Sequence, residues 1–146
     1  MILDGKEYTV KLNGKVFHCA LDITMHYIGG KWKCIILWYL KGGAMRFSVL
    51  KRQMPDISEK MLSQQLKELE KEGILERKVF AEVPPRVEYS VTAFGKKLLP
   101  IVDAMGEWGR EIGKKKGEII IKELKPKAAK KTAGEKKSIQ KSPLRK

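Results

Sequence analysis

The chain has 146 residues, 42% of them hydrophobic, and a formal net charge of +14. That length and apolar content suit one compact domain with a real core, while the charge favours a polyanion, either nucleic acid or an acidic membrane surface. No apolar run approaches the ~20 residues needed to span a bilayer, residues 1–12 lack a signal-peptide pattern, and Cys19 and Cys34 make no disulfide framework, so a cytoplasmic protein without a membrane partner is expected.

In chain order, Tyr8, Val10 and Leu12 alternate up to Asn13-Gly14, a pair suited to the two positive φ angles of a type I′ turn, and residues 15–17 return as a second strand. Residues 21–28 read as a short helix stopped by Gly29-Gly30. Residues 31–41 form a second helix that is apolar on most sides (Trp32, Ile35, Ile36, Leu37, Trp38, Tyr39, Leu40) and so belongs in the middle of a core. Gly42-Gly43 ends it. A third helix, 47–54, is closed by Pro55. Ser58 caps a fourth, which runs to about residue 72 and stops at Gly73. Alternating strands near 75–80 and 87–91 follow, joined across Pro84-Pro85. Thr92 then caps a last long helix reaching about residue 114, with Pro100 inside it and expected to bend it. From residue 122 the text holds ten Lys/Arg against two Glu. With so few large apolar residues it cannot offset the entropy of ordering, and a disordered basic tail is expected.

Short helix, amphipathic helix and hairpin, in that order, spell a winged helix-turn-helix. The expected architecture is α+β, mainly α. It comprises an N-terminal arm or hairpin (1–18), a winged DNA-binding and dimerisation domain (19–116) and the tail (117–146). On the fourth helix, Leu62, Leu66 and Leu69 share one face and must point inward. Lys60, Gln64, Lys67 and Lys71 fall opposite, with Ser63 beside them. Gln can pair bidentately with adenine, and Lys donates to guanine or to phosphate. Such residues are also ordinary on a solvated surface. It is the position between a short helix and a wing that favours DNA. Arg46, before the third helix, stands where free backbone N–H groups bind phosphate. Lys51, Arg52 and Lys31 are further candidate phosphate contacts. Arg86 follows the Pro-Pro turn and is expected to reach a minor groove, although Glu82 in the same wing would be repelled by phosphate.

In the last helix Phe94, Leu98, Ile101, Met105, Trp108 and Ile112 are spaced 4, 3, 4, 3, 4, a heptad seam. Leu99 and Val102 make a second stripe. One stripe can pack on the domain and the other on a second copy, or both can serve one monomeric core. A two-fold dimer would set two reading helices about one DNA turn apart over a palindromic site.

Cys19 with IGGKW (28–32), RFSVLKR (46–52), ISEKMLSQQLKELEKEGILER (57–77) and EVPPRVEYSVTAFGKKLLPIVDAMGEWG (82–109) resembles HxlR-type regulators, a branch of the MarR-like winged helix proteins. The resemblance implies a homodimer joined through its first and last helices, including Leu21. It implies transcription control at operators, with Ser58, Lys60, Ser63, Gln64, Lys67 and Arg86 facing DNA. The Lys-rich tail lies outside the usual pattern. Some members of such families sense oxidants or electrophiles through a cysteine before the first helix, the place Cys19 occupies. A helix N-terminus and a cationic neighbour such as His18 favour a thiolate. Alternatively Cys19 only packs, as Cys34 is expected to do. His18, Cys19, His26 and Cys34 match no zinc spacing, and no metal or cofactor is expected. Neither a Gly-rich phosphate loop nor a Ser-His-acid or paired-carboxylate arrangement stands out, so no catalysis is expected. The leading reading is a dimeric operator-binding regulator, with an unidentified small-molecule effector allowed. The rivals are an architectural DNA-coating protein that uses the tail and a winged module that binds protein.

Overall fold

In the computed structural model, residues 2, 3 and 5–118 are described. The elements are β1 (Ile2–Leu3), β2 (Lys6–Glu7), β3 (Val10–Leu12), β4 (Lys15–Phe17), α1 (Ala20–Ile28), α2 (Lys31–Leu40), β5 (Met45–Arg46), α3 (Phe47–Gln53), α4 (Glu59–Lys71), β6 (Leu75–Phe80), β7 (Arg86–Val91) and α5 (Leu99–Lys116), the last preceded by a 3-10 turn, Gly95–Leu98. The expected tail, from residue 119 on, lies outside the described residues. Among the described residues no helix is long and apolar enough to cross a membrane.

α2 is the central post, as its all-round apolarity required. Ile36, Leu37 and Leu40 are buried, and Trp32, Cys34, Ile35, Trp38 and Tyr39 are half-buried against the same core. Around it pack Leu50 of α3, Leu62, Leu66 and Leu69 of α4, Val91 of β7 and Val102 of α5. The N-terminal hairpin turns at Asn13 and Gly14, whose φ angles are 50° and 80°, as a type I′ turn demands. It is anchored by the fully buried Phe17, whose ring meets His26 of α1 edge-on at 5.3 Å. A second, smaller hairpin pairs Ile2 with Glu7 and Leu3 with Lys6.

α3 and α4 make the helix-turn-helix, with buried Met54 and Ile57 filling the turn between them. The Ser58 hydroxyl accepts the Met61 N–H at 3.1 Å and caps α4. Gly73, at φ +69°, ends it. The Ile74 N–H returns to the Leu69 carbonyl at 2.9 Å and the Gly73 N–H to the Glu70 carbonyl at 3.0 Å. This is a Schellman stop, with buried Leu69 and Ile74 as its apolar clasp. The chain then enters the hairpin β6–β7, in register from Leu75 opposite Val91 to Phe80 opposite Arg86. The two residues of β5 add a third strand, Met45 facing Tyr89 and Arg46 facing Glu88, so the sheet runs β5-β7-β6. Beyond Leu75 most of β6 is exposed, because this arm leaves the body of the protein. The result is a winged helix fold.

The last helix departs from the expectation. Thr92 caps, but it caps the turn: its hydroxyl accepts the Gly95 N–H at 3.0 Å, and the helix proper begins only at Leu99. Pro100 therefore stands in the first turn of α5, where a missing N–H leaves nothing unsatisfied. It opens the helix instead of bending it.

Candidate nucleic-acid interface

α4 is held by three leucines, Leu62, Leu66 and Leu69, each fully buried. The opposite face is consequently presented outward. Lys60, Gln64, Lys67 and Lys71 are exposed and Ser63 is half-buried. Lys60, Ser63, Gln64 and Lys67 line one shallow groove together with Glu68. A second groove at the start of the motif gathers Ser48, Lys51, Arg52 and Glu59 over Phe47. Lys51 also donates to the Pro55 carbonyl at 3.3 Å, which ties α3 to the turn. Arg46 is exposed at the residue that precedes α3, as expected. Lys31 is exposed, lies 4.4 Å over the Trp32 ring and shares a groove with Gln53, Pro55 and Asp56 of the helix-turn-helix. The structure thus brings the expected α4 residues onto one surface. Ser58 is exposed at the start of the same helix, its hydroxyl oxygen accepting the cap hydrogen bond and its hydroxyl hydrogen left to donate.

Arg86 is placed differently from the expectation of a free guanidinium at the wing tip. Its Nε and NH2 donate to Glu82 at 3.1 and 2.9 Å and its NH1 to Glu88 at 2.6 Å, and the guanidinium stacks 3.8 Å over Phe80. The cause is register: Phe80 lies directly opposite, Glu88 is two residues along on the same face, and Glu82 folds back across the turn. The exposed tip itself carries Val83, followed by a cis peptide to Pro84.

Sequence reasoning missed Glu68 and Lys33. The Glu68 carboxylate accepts from Lys33 Nζ at 3.1 Å, from Gln64 Nε2 at 3.1 Å and from Gln65 Nε2 at 3.5 Å. The hydrogen bond from Lys33, then that from Gln64, holds its carboxyl below the usual range. The i,i+4 spacing of Gln64 and Glu68 was a signal for half of this network; the reach from α2 was not visible in sequence.

Cys19 is exposed and occupies the residue before α1. Cys34 is half-buried, donates its thiol hydrogen to the Ile28 carbonyl at 3.5 Å, and has its pKa pushed up by burial, the environment of a structural thiol. His26 packs between the rings of Phe17 and Tyr27. Among the described residues no group of three or more His, Cys, Asp or Glu is placed to hold a metal.

On the other side of the domain the two stripes of the last segment separate. Val102 and Leu99 pack on the core, and Leu98, placed in the seam by its spacing, joins them. Phe94, Ile101, Met105 and Trp108 remain exposed, Trp108 by 66%, and Ile112 is half-buried. On α1, Leu21 is exposed by 66% and Met25 by 52%.

The sequence profile of the HxlR-like helix-turn-helix family matches residues 27–117. An HTH-type transcriptional regulator of Methanothermobacter thermautotrophicus is 47% identical over 95 residues, 65% of this chain and 72% of the relative. Among solved structures, the redox regulator HypR in its oxidized form is similar, with a TM-score of 0.63 and 47% identity over 64% of this chain and 96% of that one. So is a MarR-family transcriptional regulator from Porphyromonas gingivalis, with a TM-score of 0.62 and 43% identity over 64% of this chain and 91% of that one. The chain belongs to the HxlR-like helix-turn-helix family of transcriptional regulators.

Proposed function

We propose that two copies of this chain bind a palindromic operator, each laying α4 in a major groove while residues 80–87 of the wing meet the neighbouring backbone or minor groove. The observation that carries this reading is the exposed stripe Lys60, Gln64 and Lys67, backed by three buried leucines and flanked by a protruding two-stranded arm. Gln64 has the chemistry for a base edge. Lys60 and Lys67 have it for guanine or phosphate. Arg46, Lys51, Arg52 and Lys31 border the helix-turn-helix as positioning contacts to phosphate. Arg86 takes a more modest part than its position in the sequence suggested: clamped between two carboxylates, it stiffens the wing, and the groove contact falls to the tip around Val83.

Replacing Gln64 with alanine is expected to weaken the cognate operator by ~1–3 kcal/mol and to relax preference at one base position per half-site. Titration against operators varied one base at a time measures it. An unchanged preference profile would remove Gln64 from the base-reading set.

Regulation by thiol chemistry is part of the same reading. Cys19 is exposed at a helix N-terminus, Cys34 is not, and a structurally similar relative is named a redox regulator. In the simplest step a peroxide gives one oxygen to the Cys19 sulfur, which is oxidised to sulfenic acid while water leaves. After mild peroxide, mass spectrometry is expected to find one added oxygen on the Cys19 peptide and none on the Cys34 peptide, with loss of the operator complex. An unmodified Cys19, or full modification with the complex intact, would make the thiol structural.

A further inference from the structure

The Lys33–Glu68–Gln64 network bears on which base Gln64 can accept, an inference that rests on the placement of Gln64 at the bases proposed above. A carboxylate has no hydrogen to give, so the end of the Gln64 amide that meets Glu68 must be the NH2 group. The 3.1 Å contact therefore fixes which end of the amide is which. An untethered glutamine rotates about its terminal bond, a broad and roughly two-fold torsion, and offers either end. Tethered, Gln64 keeps its carbonyl oxygen and one N–H for an outside partner. Glu68 is in turn held from the core: Lys33, on the central helix α2, has a side chain only 13% exposed and reaches Oε2 at 3.1 Å. With Gln65 also directed at Oε2, three donors converge on the two carboxylate oxygens, Lys33 and Gln65 on one and Gln64 on the other.

In the major groove, adenine offers N7 as acceptor and N6 as donor, and cytosine offers N4 as donor, whereas guanine N7 and O6 and thymine O4 are acceptors. One acceptor plus one donor matches adenine on both atoms, and each of the other three bases on one kind of group only. Against guanine it sets the amide oxygen facing an acceptor. We propose that Glu68, anchored by Lys33, is a specificity-determining positioning residue that locks the Gln64 amide with its oxygen and one N–H presented outward, favouring adenine as the base it reads.

The test uses full-length protein and an operator selected from random duplex DNA, presented as a panel with all four bases at each position. The wild type is expected to prefer an A·T pair over G·C by about tenfold or more at the position whose preference Gln64→Ala abolishes. Glu68→Gln, whose amide can donate as well as accept, is expected to cut that preference to about twofold while leaving other positions unchanged. Because it removes a negative charge beside DNA, it should also tighten binding to every duplex in the panel. General damage to the fold would instead weaken all of them. Lys33→Met should lose the same preference and Lys33→Arg should keep it, which preserves the test if Glu68→Gln folds poorly. A preference that survives in both Glu68→Gln and Lys33→Met, but not in Gln64→Ala, overturns the role of Glu68 alone. A wild-type preference for a G·C pair, in either orientation, at that position also overturns it. If Gln64→Ala alters no preference, Gln64 is not at the bases and the inference falls together with that placement.

Discussion

Alanine at Gly95 is expected to lower the stability of the domain by ~1–3 kcal/mol, and its melting temperature by on the order of 10 °C, for the addition of one methyl group. Three elements meet at this residue. Thr92 leaves β7 with its N–H on the Ile74 carbonyl at 3.0 Å. Its hydroxyl donates back to the Gly73 carbonyl at 2.7 Å, at the stop of α4, and accepts the Gly95 N–H at 3.0 Å. This knot draws the turn before α5 so tightly onto the end of α4 that a Cβ at Gly95 would collide with the Ile74 carbonyl oxygen. It would also stand 2.9 Å from Val91 Cγ1 and 3.1 Å from the Ile74 carbonyl carbon. Two of these three atoms are backbone and cannot rotate away, so α5 must move relative to the wing. The motif Thr92-x-x-Gly95 therefore has a mechanical meaning: it ties the end of α4, the β6–β7 arm and the start of α5 to one another. Thermal unfolding followed by circular dichroism checks it. A Gly95→Ala protein that melts with the wild type would show that the turn is slack and that α5 is positioned by its apolar contacts alone.

Most of this fold could be read from local chemistry, because local chemistry determines it. The stop at Gly73, the cap at Ser58, the Asn13-Gly14 turn and the leucine face of α4 each depend on residues within one or two turns of each other, and each stands where the sequence placed it. What escaped reading depends on partners brought together by the whole chain. The two residues of β5 have no strand pattern of their own and are ordered by Tyr89 and Glu88 of β7. The start of α5 is set by the Thr92 knot with the end of α4, and not by its own propensities. Arg86 looked available because sequence alone does not reveal that hairpin register would surround it with Glu82, Glu88 and Phe80, although the Arg86-x-Glu88 spacing was a usable hint. On the candidate reading surface the outward stripe was legible from helical period, while the anchoring of the carboxylate that Gln64 donates to was not. Glu68 looked like one more solvated charge until α2 brought Lys33 to it.

Replacing Trp108 with glutamate is expected to convert a dimer into a monomer and to weaken operator binding by about a hundredfold or more. Phe94, Ile101, Met105 and Trp108 leave exposed apolar surface on the last segment even though Leu98, Leu99 and Val102 have already been drawn into the core. A tryptophan alone carries ~150–250 Å² of surface, and one exposed by 66% contributes little to the monomer it belongs to. Aromatic anchors of this kind dominate interfaces when a partner covers them, and a buried unpaired carboxylate in their place opposes association strongly. Operator affinity should fall much further than one contact warrants, because joining two half-site readers makes the second engagement intramolecular, a gain of about 10²–10⁴ that the monomer forfeits. Light scattering gives the mass, and melting gives an independent check. The wild-type midpoint should rise with protein concentration, as linked assembly requires, and that of Trp108→Glu should not. The far-UV spectrum should be unchanged, since the side chain lies outside the core. If Trp108→Glu keeps twice the chain mass and wild-type operator affinity, the exposed seam is not the dimer contact, and two-fold reading of a palindrome would have to be built on α1, through Leu21 and Met25, instead.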